Sequence, residues 1–217
     1  MGKKFALLLS IQAVFIVFAG LLSGDIWYSI AISLIGVVFN FLVSINRPVG
    51  FLFGFLYAVT NGALSFHTGV YATFGFMIFL QAPMAIYSYF SWGKSKKRGR
   101  GALKRMTRKG ICILIAAMAS LGIAMYFVLG LLNSTAVLVD DIFFVFSVSA
   151  CLLLAFRYKN AYIVTLLSGL GGTALWIYQM AAVQNGFSLA AFYLIVSVNS
   201  IIAIYQQYFK PRGTPAA

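Results

Sequence analysis

Long apolar runs, separated by short turns that carry glycine or charge, divide the chain from end to end. They lie at about 5–22, 26–44, 50–66, 70–92, 111–132, 141–156, 160–182 and 187–208. At about 1.5 Å per residue such a run can cross roughly 30 Å of hydrocarbon as a helix. The pattern therefore predicts eight transmembrane helices, the sixth being the shortest and the least defined at its start. An even number of spans places both termini on one side of the membrane.

The polar positions between the runs test that parity. Lys3 and Lys4 precede the first run, Arg47 follows the second, and nine basic residues fall between Lys94 and Lys109 after the fourth. Arg157 and Lys159 follow the sixth run, and Lys210 and Arg212 the eighth. All sixteen Lys and Arg thus fall on one face, and Asp25, Asp140 and Asp141 on the other. This is the positive-inside asymmetry, so both termini are expected to be cytoplasmic.

Composition agrees. At 62% hydrophobic and 9% charged, the chain departs far from the roughly 45–50% and 25% of soluble domains. The net charge of +13 does not signal nucleic acid, because more than half of it sits in one cytoplasmic loop. Solvation and contact with anionic lipid headgroups suffice there. One histidine, His67, and three carboxylates exclude paired-acid hydrolysis and carboxylate-rich metal sites, and no nucleophile–base set can be assembled. Neither an enzyme nor a cofactor is implied. The first run reads as a retained helix rather than a cleaved leader, lacking a clear small-residue cleavage site. Cys112 and Cys151 lie within spans as small apolar residues, and His67 belongs to an outer turn. Gly169, Gly171 and Gly172 suggest close helix packing; no Lys-Ser/Thr follows to make a phosphate loop.

The spans also repeat. Spans two to four and six to eight form triplets of the same orientation, joined by a lone fifth helix. In each, a basic turn (Asn46, Arg47, Pro48; then Arg157, Tyr158, Lys159) precedes an aromatic-rich helix, and a glycine with an aromatic follows it (Gly69, Tyr71; Gly186, Phe187). The implied organisation is an extra N-terminal helix at 1–25, a first three-helix repeat at 26–93, and a basic loop with connector helix at 94–137. A second three-helix repeat at 138–209 and a tail at 210–217 complete it.

The stretch Gly50, Phe51, Leu52, Phe53, Gly54, followed by Gly69, Val70, Tyr71, then Pro83, Met84 and Trp92, resembles the first triplet of the Pnu-type (PnuC-like) vitamin and nucleoside transporters, which share the SWEET-like fold. The resemblance extends over about residues 26–208. It implies an all-α integral membrane protein of 3+1+3 plan, multi-pass in a bacterial cytoplasmic membrane, working as a homotrimer by facilitated diffusion. Where PnuC-like members carry a W-x-x-W pair, this chain has Tyr162 and Thr165. That departure points to a deoxyribonucleoside, with nicotinamide riboside or thiamine as the alternative and a structural or receptor subunit as a third reading.

The residues make their own case for a site. A polar side chain inside a span needs partners or a wet cavity. Tyr57 with Asn61 one turn on, Gln81, Ser168, Thr173, Trp176 with Gln179, and Asn199 are such positions. Gln81 and Asn199 fall at matching depths of spans four and eight, so both are expected to face one ligand; helix-to-helix hydrogen bonding is the competing role for each. Amides and rings together suit a hydroxylated heterocycle. Trp27 and Trp92, at span ends, read as interfacial belt residues. No Asp, Glu, Lys, Arg or His is expected at mid-depth, which favours facilitated diffusion over proton or sodium coupling.

Overall fold

The computed structural model describes residues 3–97, 103–134, 136–183 and 186–209; the tail with Lys210 and Arg212, and Arg98 and Arg100 of the basic loop, lie outside these. The described residues form eight helices. In order they are α1 (Lys3–Ser23), α2 (Trp27–Ser44), α3 (Gly50–His67), α4, α5 (Arg108–Leu131), α6 (Val137–Ala155), α7 (Ala161–Val183) and α8 (Phe187–Tyr208). Helix α4 is continuous but irregular. It runs as α-helix over Tyr71–Gly75, widens to a π-helix over Phe76–Gln81, and returns to α-helix over Ala82–Lys97.

Seven of these helices have the length and apolarity to cross a membrane. The remaining one, α3, has 18 residues but carries Thr60, Asn61 and His67, which make it more polar than its neighbours. Most helices stop for the same local reason. Gly24, Asn46, Gly69, Asn133 and Arg157 each take a left-handed backbone just past a helix. The next N–H then reaches back to a carbonyl five residues earlier, as in Asp25 to Gly20 at 2.9 Å and Tyr158 to Leu153 at 2.8 Å. This arrangement satisfies carbonyls the helix end leaves open. Glycine and asparagine adopt it readily. Arg157 does so at φ 66°, against its ordinary preference.

Two aspartates tie helices together at the end opposite the basic turns. Asp25, just before α2, accepts hydrogen bonds from the N–H groups of Gly186, Phe187 and Ser188 at the start of α8, at 3.0, 3.2 and 2.6 Å. Asp140, in the first turn of α6, accepts from the N–H groups of Ala72 and Thr73 at the start of α4, at 3.0 and 3.1 Å, and from the Thr73 hydroxyl at 2.6 Å. Each carboxylate meets the donor-rich, positive end of a helix dipole. Helix α6 begins at Val137, not near 141 as the apolar run suggests. Asp140 and Asp141 are therefore helical and buried instead of lying at a wet surface, because Asp140 finds its partners on α4.

Helices α7 and α8 make the most extensive contact in the bundle, and glycine permits it. A Cβ at Gly169 would stand 2.5 Å from the Ser197 hydroxyl and 3.1 Å from the Tyr193 carbonyl; one at Gly172 would stand 2.5 Å from the Tyr193 ring. The glycine cluster thus serves close packing. At the other extreme, α5 keeps its span outside the core and presents Ile113, Ile123 and Phe127 outward. Cys112 on this helix is exposed, contrary to its expected burial, whereas Cys151 is half-buried, and both are free thiols.

Two further expectations change at the basic end. Trp92 is no belt residue: it is 5% exposed, meets Phe51 edge-on at 5.1 Å and donates from its indole to the Leu154 carbonyl at 3.1 Å. The Arg157 guanidinium lies 5.8 Å above the ring; partial burial lowers its pKa from so high a value that the charge remains. Nor is the basic loop solvated throughout. Lys104 pairs with the α6–α7 turn, its N–H donating to Arg157 at 2.8 Å and its carbonyl accepting from Lys159 at 2.9 Å. That pairing presses Leu103 into a buried cluster with Val43, Phe51, Trp92 and Tyr162. Trp27, by contrast, is exposed as a belt residue would be.

Candidate functional site

Six helices, α2, α3, α4, α6, α7 and α8, enclose a cavity of about 90 Å³, several times the roughly 10–15 Å³ that admits one water. Its wall is mainly aromatic. Phe39 stacks on Tyr57 at 6.3 Å, Tyr57 meets Phe192 at 5.1 Å, and Phe192 and Phe143 both pack on Tyr193, at 4.8 and 5.1 Å. Gly36 makes this possible, since a Cβ there would stand 2.8 Å from Phe192 and 2.9 Å from Tyr57. Between the rings lie the polar groups of Asn40, Gln81, Ser88, Ser147, Thr165 and Ser168. None of the lining side chains is charged.

The π-helical stretch of α4 shapes one wall. Its i-to-i+5 bonding, uncommon and often found at functional places, brings Phe76, Met77 and Gln81 to the buried side together, and all three line the cavity. Gln81 uses none of its hydrogen-bonding groups on another described residue, leaving two donors and an acceptor for a ligand. Opposite, the hydroxyls of Ser147 and Ser168 bond to each other at 2.8 Å, while Thr165 spends its proton on the Ala161 carbonyl at 2.8 Å.

Towards the aspartate end the cavity is closed. The Tyr57 and Tyr193 hydroxyls bond at 2.7 Å, and the Asn61 amide donates to Tyr57 at 3.0 Å. Trp176 is 1% exposed, with its indole N–H beside the Tyr193 hydroxyl but outside hydrogen-bonding geometry. Its ring lies against Gly186, whose added Cβ would come within 2.9 Å. Gln179, one turn further along α7, is fully buried. Towards the basic end a smaller void of about 10 Å³ follows, lined by Asn40, Tyr162, Thr165 and Ser200 among others. Tyr162 there approaches the Val43 carbonyl at 3.3 Å.

Of the residues singled out in the sequence, Tyr57, Gln81, Thr165 and Ser168 meet at the main cavity. Asn61, Trp176 and Gln179 stand behind its closed end, and Tyr162 beside the smaller void. Asn199 does not face Gln81. Its carbonyl accepts from Gln12 of α1 at 2.7 Å, and its amide donates to Gln12 at 3.3 Å and to Asn40 at 3.1 Å. Matching depth thus did not mean matching direction: α1 packs against α8 and α2 and supplies a partner on that side. Asn40 and Tyr193 line the cavity without having been anticipated. Asn40 could have been found by the same rule as Gln81, being a lone amide in the apolar run of α2.

A membrane-embedded, uncharged cavity enclosed by six helices can bind and pass a small solute. Residues 26–208 match the family model described as nicotinamide mononucleotide transporter. The chain belongs to this family. It is a multi-pass membrane transporter and its family is not an enzyme family. The crystal structure of the vitamin B3 transporter PnuC superposes with a TM-score of 0.77, covering 95% of this chain and 92% of that one at 16% identity. At that identity the likeness shows the fold. No curated protein sequence matches the chain. The family region begins one residue after Asp25, so α1 lies before it, and the cavity falls wholly within it.

Proposed function

We propose that this transporter carries nicotinamide riboside, a vitamin B3-type nucleoside, into a bacterial cell by facilitated diffusion across the cytoplasmic membrane. The observation that carries this reading is the aromatic cavity without a charged side chain. A mononucleotide would bring a phosphate into a place with no Arg or Lys to meet it, whereas a nucleoside brings none. A pyridinium ring, being cationic, also gains from the faces of Tyr57, Phe143, Phe192 and Tyr193. The family description and the name of the related structure, both concerned with vitamin B3 and its nucleotide, support this solute over the deoxyribonucleoside that Tyr162 and Thr165 suggested. Those two replace a tryptophan pair, but the rings of this cavity come chiefly from α2, α3, α6 and α8.

The mechanism is alternating access between two three-helix repeats in a 3+1+3 plan, with α1 as an added span and both termini cytoplasmic. The hydrogen-bonded Tyr57 and Tyr193 close the cavity on the aspartate side, and their parting opens it there. Eight spans, with α3 made tolerable in the membrane by the partners of its polar residues, support that topology. The protein works as a homotrimer, with the outward-facing surface of α5 available to neighbours or lipid.

Calorimetry on the purified protein, joined to uptake into proteoliposomes, tests the substrate. Nicotinamide riboside should bind and be taken up saturably, with nicotinamide mononucleotide, thymidine and thiamine each at least about tenfold weaker. Tighter binding of thymidine or of the mononucleotide would overturn the assignment.

A further inference from the structure

Helix α1 precedes the family region and contributes nothing to the cavity wall, yet one of its side chains reaches the cavity through two others. Gln12 is the one amide of α1, and it is 6% exposed. It pairs with Asn199 by two hydrogen bonds, at 2.7 and 3.3 Å. Asn199, 2% exposed, directs its second N–H to the Asn40 carbonyl at 3.1 Å. With one end of its amide held by Asn199, Asn40 leaves the other end without a partner among the described residues, and Asn40 lines the cavity.

We propose that Asn40 is a substrate-binding residue presenting the free end of its amide to a polar group of the solute, and that Gln12 is the positioning residue that holds it there through Asn199. The inference rests on the cavity being the solute site. Pairing of Asn199 with an amide from α1 holds one end of the Asn40 amide in place and leaves the other end for the solute. Recognition by this transporter thus depends on a helix outside the family region.

The test uses the full-length protein with nicotinamide riboside as probe, and calorimetric Kd as readout. Gln12→Met keeps the length of the side chain and removes its hydrogen bonds; it should raise Kd by about threefold to tenfold. Asn40→Ala should raise it by about tenfold. The double variant should bind no more weakly than Asn40→Ala alone, because Gln12 acts only through Asn40. Multiplying effects in the double variant, or a Gln12→Met protein with lower Tm and unchanged Kd, would reduce Gln12 to a helix anchor and overturn the positioning role. Unchanged Kd in Asn40→Ala with weakened binding in Gln81→Ala would overturn the role of Asn40 while upholding the cavity. Failure of wild type to bind, or unchanged Kd in Gln81→Ala as well as both others, would overturn the cavity reading and this one with it.

Discussion

Removing the Asp140 carboxylate should cost more than any single surface substitution, and the structure says roughly how much. Asp140 is fully buried and accepts from two backbone N–H groups and the Thr73 hydroxyl. Capping a helix N-terminus contributes about 0.5–2 kcal/mol, and a negative charge there adds up to about 2 kcal/mol when partly buried. Interhelical hydrogen bonds in membranes average only about 0.6 kcal/mol, because the unfolded helices find other partners. Three such bonds and the dipole together give about 3 kcal/mol for Asp140→Ala. Asp140→Asn keeps one acceptor oxygen and loses the charge, so about 1.5 kcal/mol is expected. Thr73→Val removes one bond, about 1 kcal/mol. Unfolding in a denaturing-detergent titration should rank the three variants in that order. An Asp140→Ala protein as stable as wild type, or a Thr73→Val protein less stable than Asp140→Ala, would refute the capping role.

Other outcomes follow from the same geometry. Once Cys112 is replaced by Ser, a cysteine at Leu132, exposed at the aspartate end, should react with an impermeant thiol reagent in intact cells, and one at Arg105 should not; the reverse labelling would invert the topology. Trp92→Phe keeps an aromatic ring against Phe51 but loses the bond to Leu154, so it should destabilise by about 1 kcal/mol, whereas a belt residue would show no change. Flux into sealed vesicles should follow the nicotinamide riboside gradient alone, and accumulation driven by an imposed proton or sodium gradient would falsify facilitated diffusion.

The helices were legible because a bilayer demands long apolar runs, and the turns because glycine or asparagine and charge interrupt them. What sequence could not fix was rotation. A residue's depth follows from counting, but its direction changes by about 100° per position, so Asn199 could share the depth of Gln81 and still point at α1. The role of Gln12 is not legible in the sequence, because a lone amide in a peripheral helix gives no sign of its partner. The start of α6 was misplaced for a related reason: Asp140 looked like an end-of-span charge until the first turn of α4 supplied its donors. Trp92 matched the position of a belt residue, and only Phe51, Leu154 and Arg157 around it reveal a packed one. Of the cavity, the aromatic and amide character was legible; its enclosure by six helices was not.

The widened turn at Phe76–Gln81 sets the rotation of the helix beyond it. A π-helical turn is what an α-helix becomes when one residue is inserted and both flanks keep their places, since the extra residue has nowhere to go but outward in radius. Helix α4 thus holds one residue more than a regular helix would place between the same flanks. Deleting that residue would restore ordinary winding, but one flank would have to turn by about 100°. Either Gln81 or Phe76 would then leave the cavity. Deleting one residue here would thus rebuild this wall from different side chains while leaving both flanks helical.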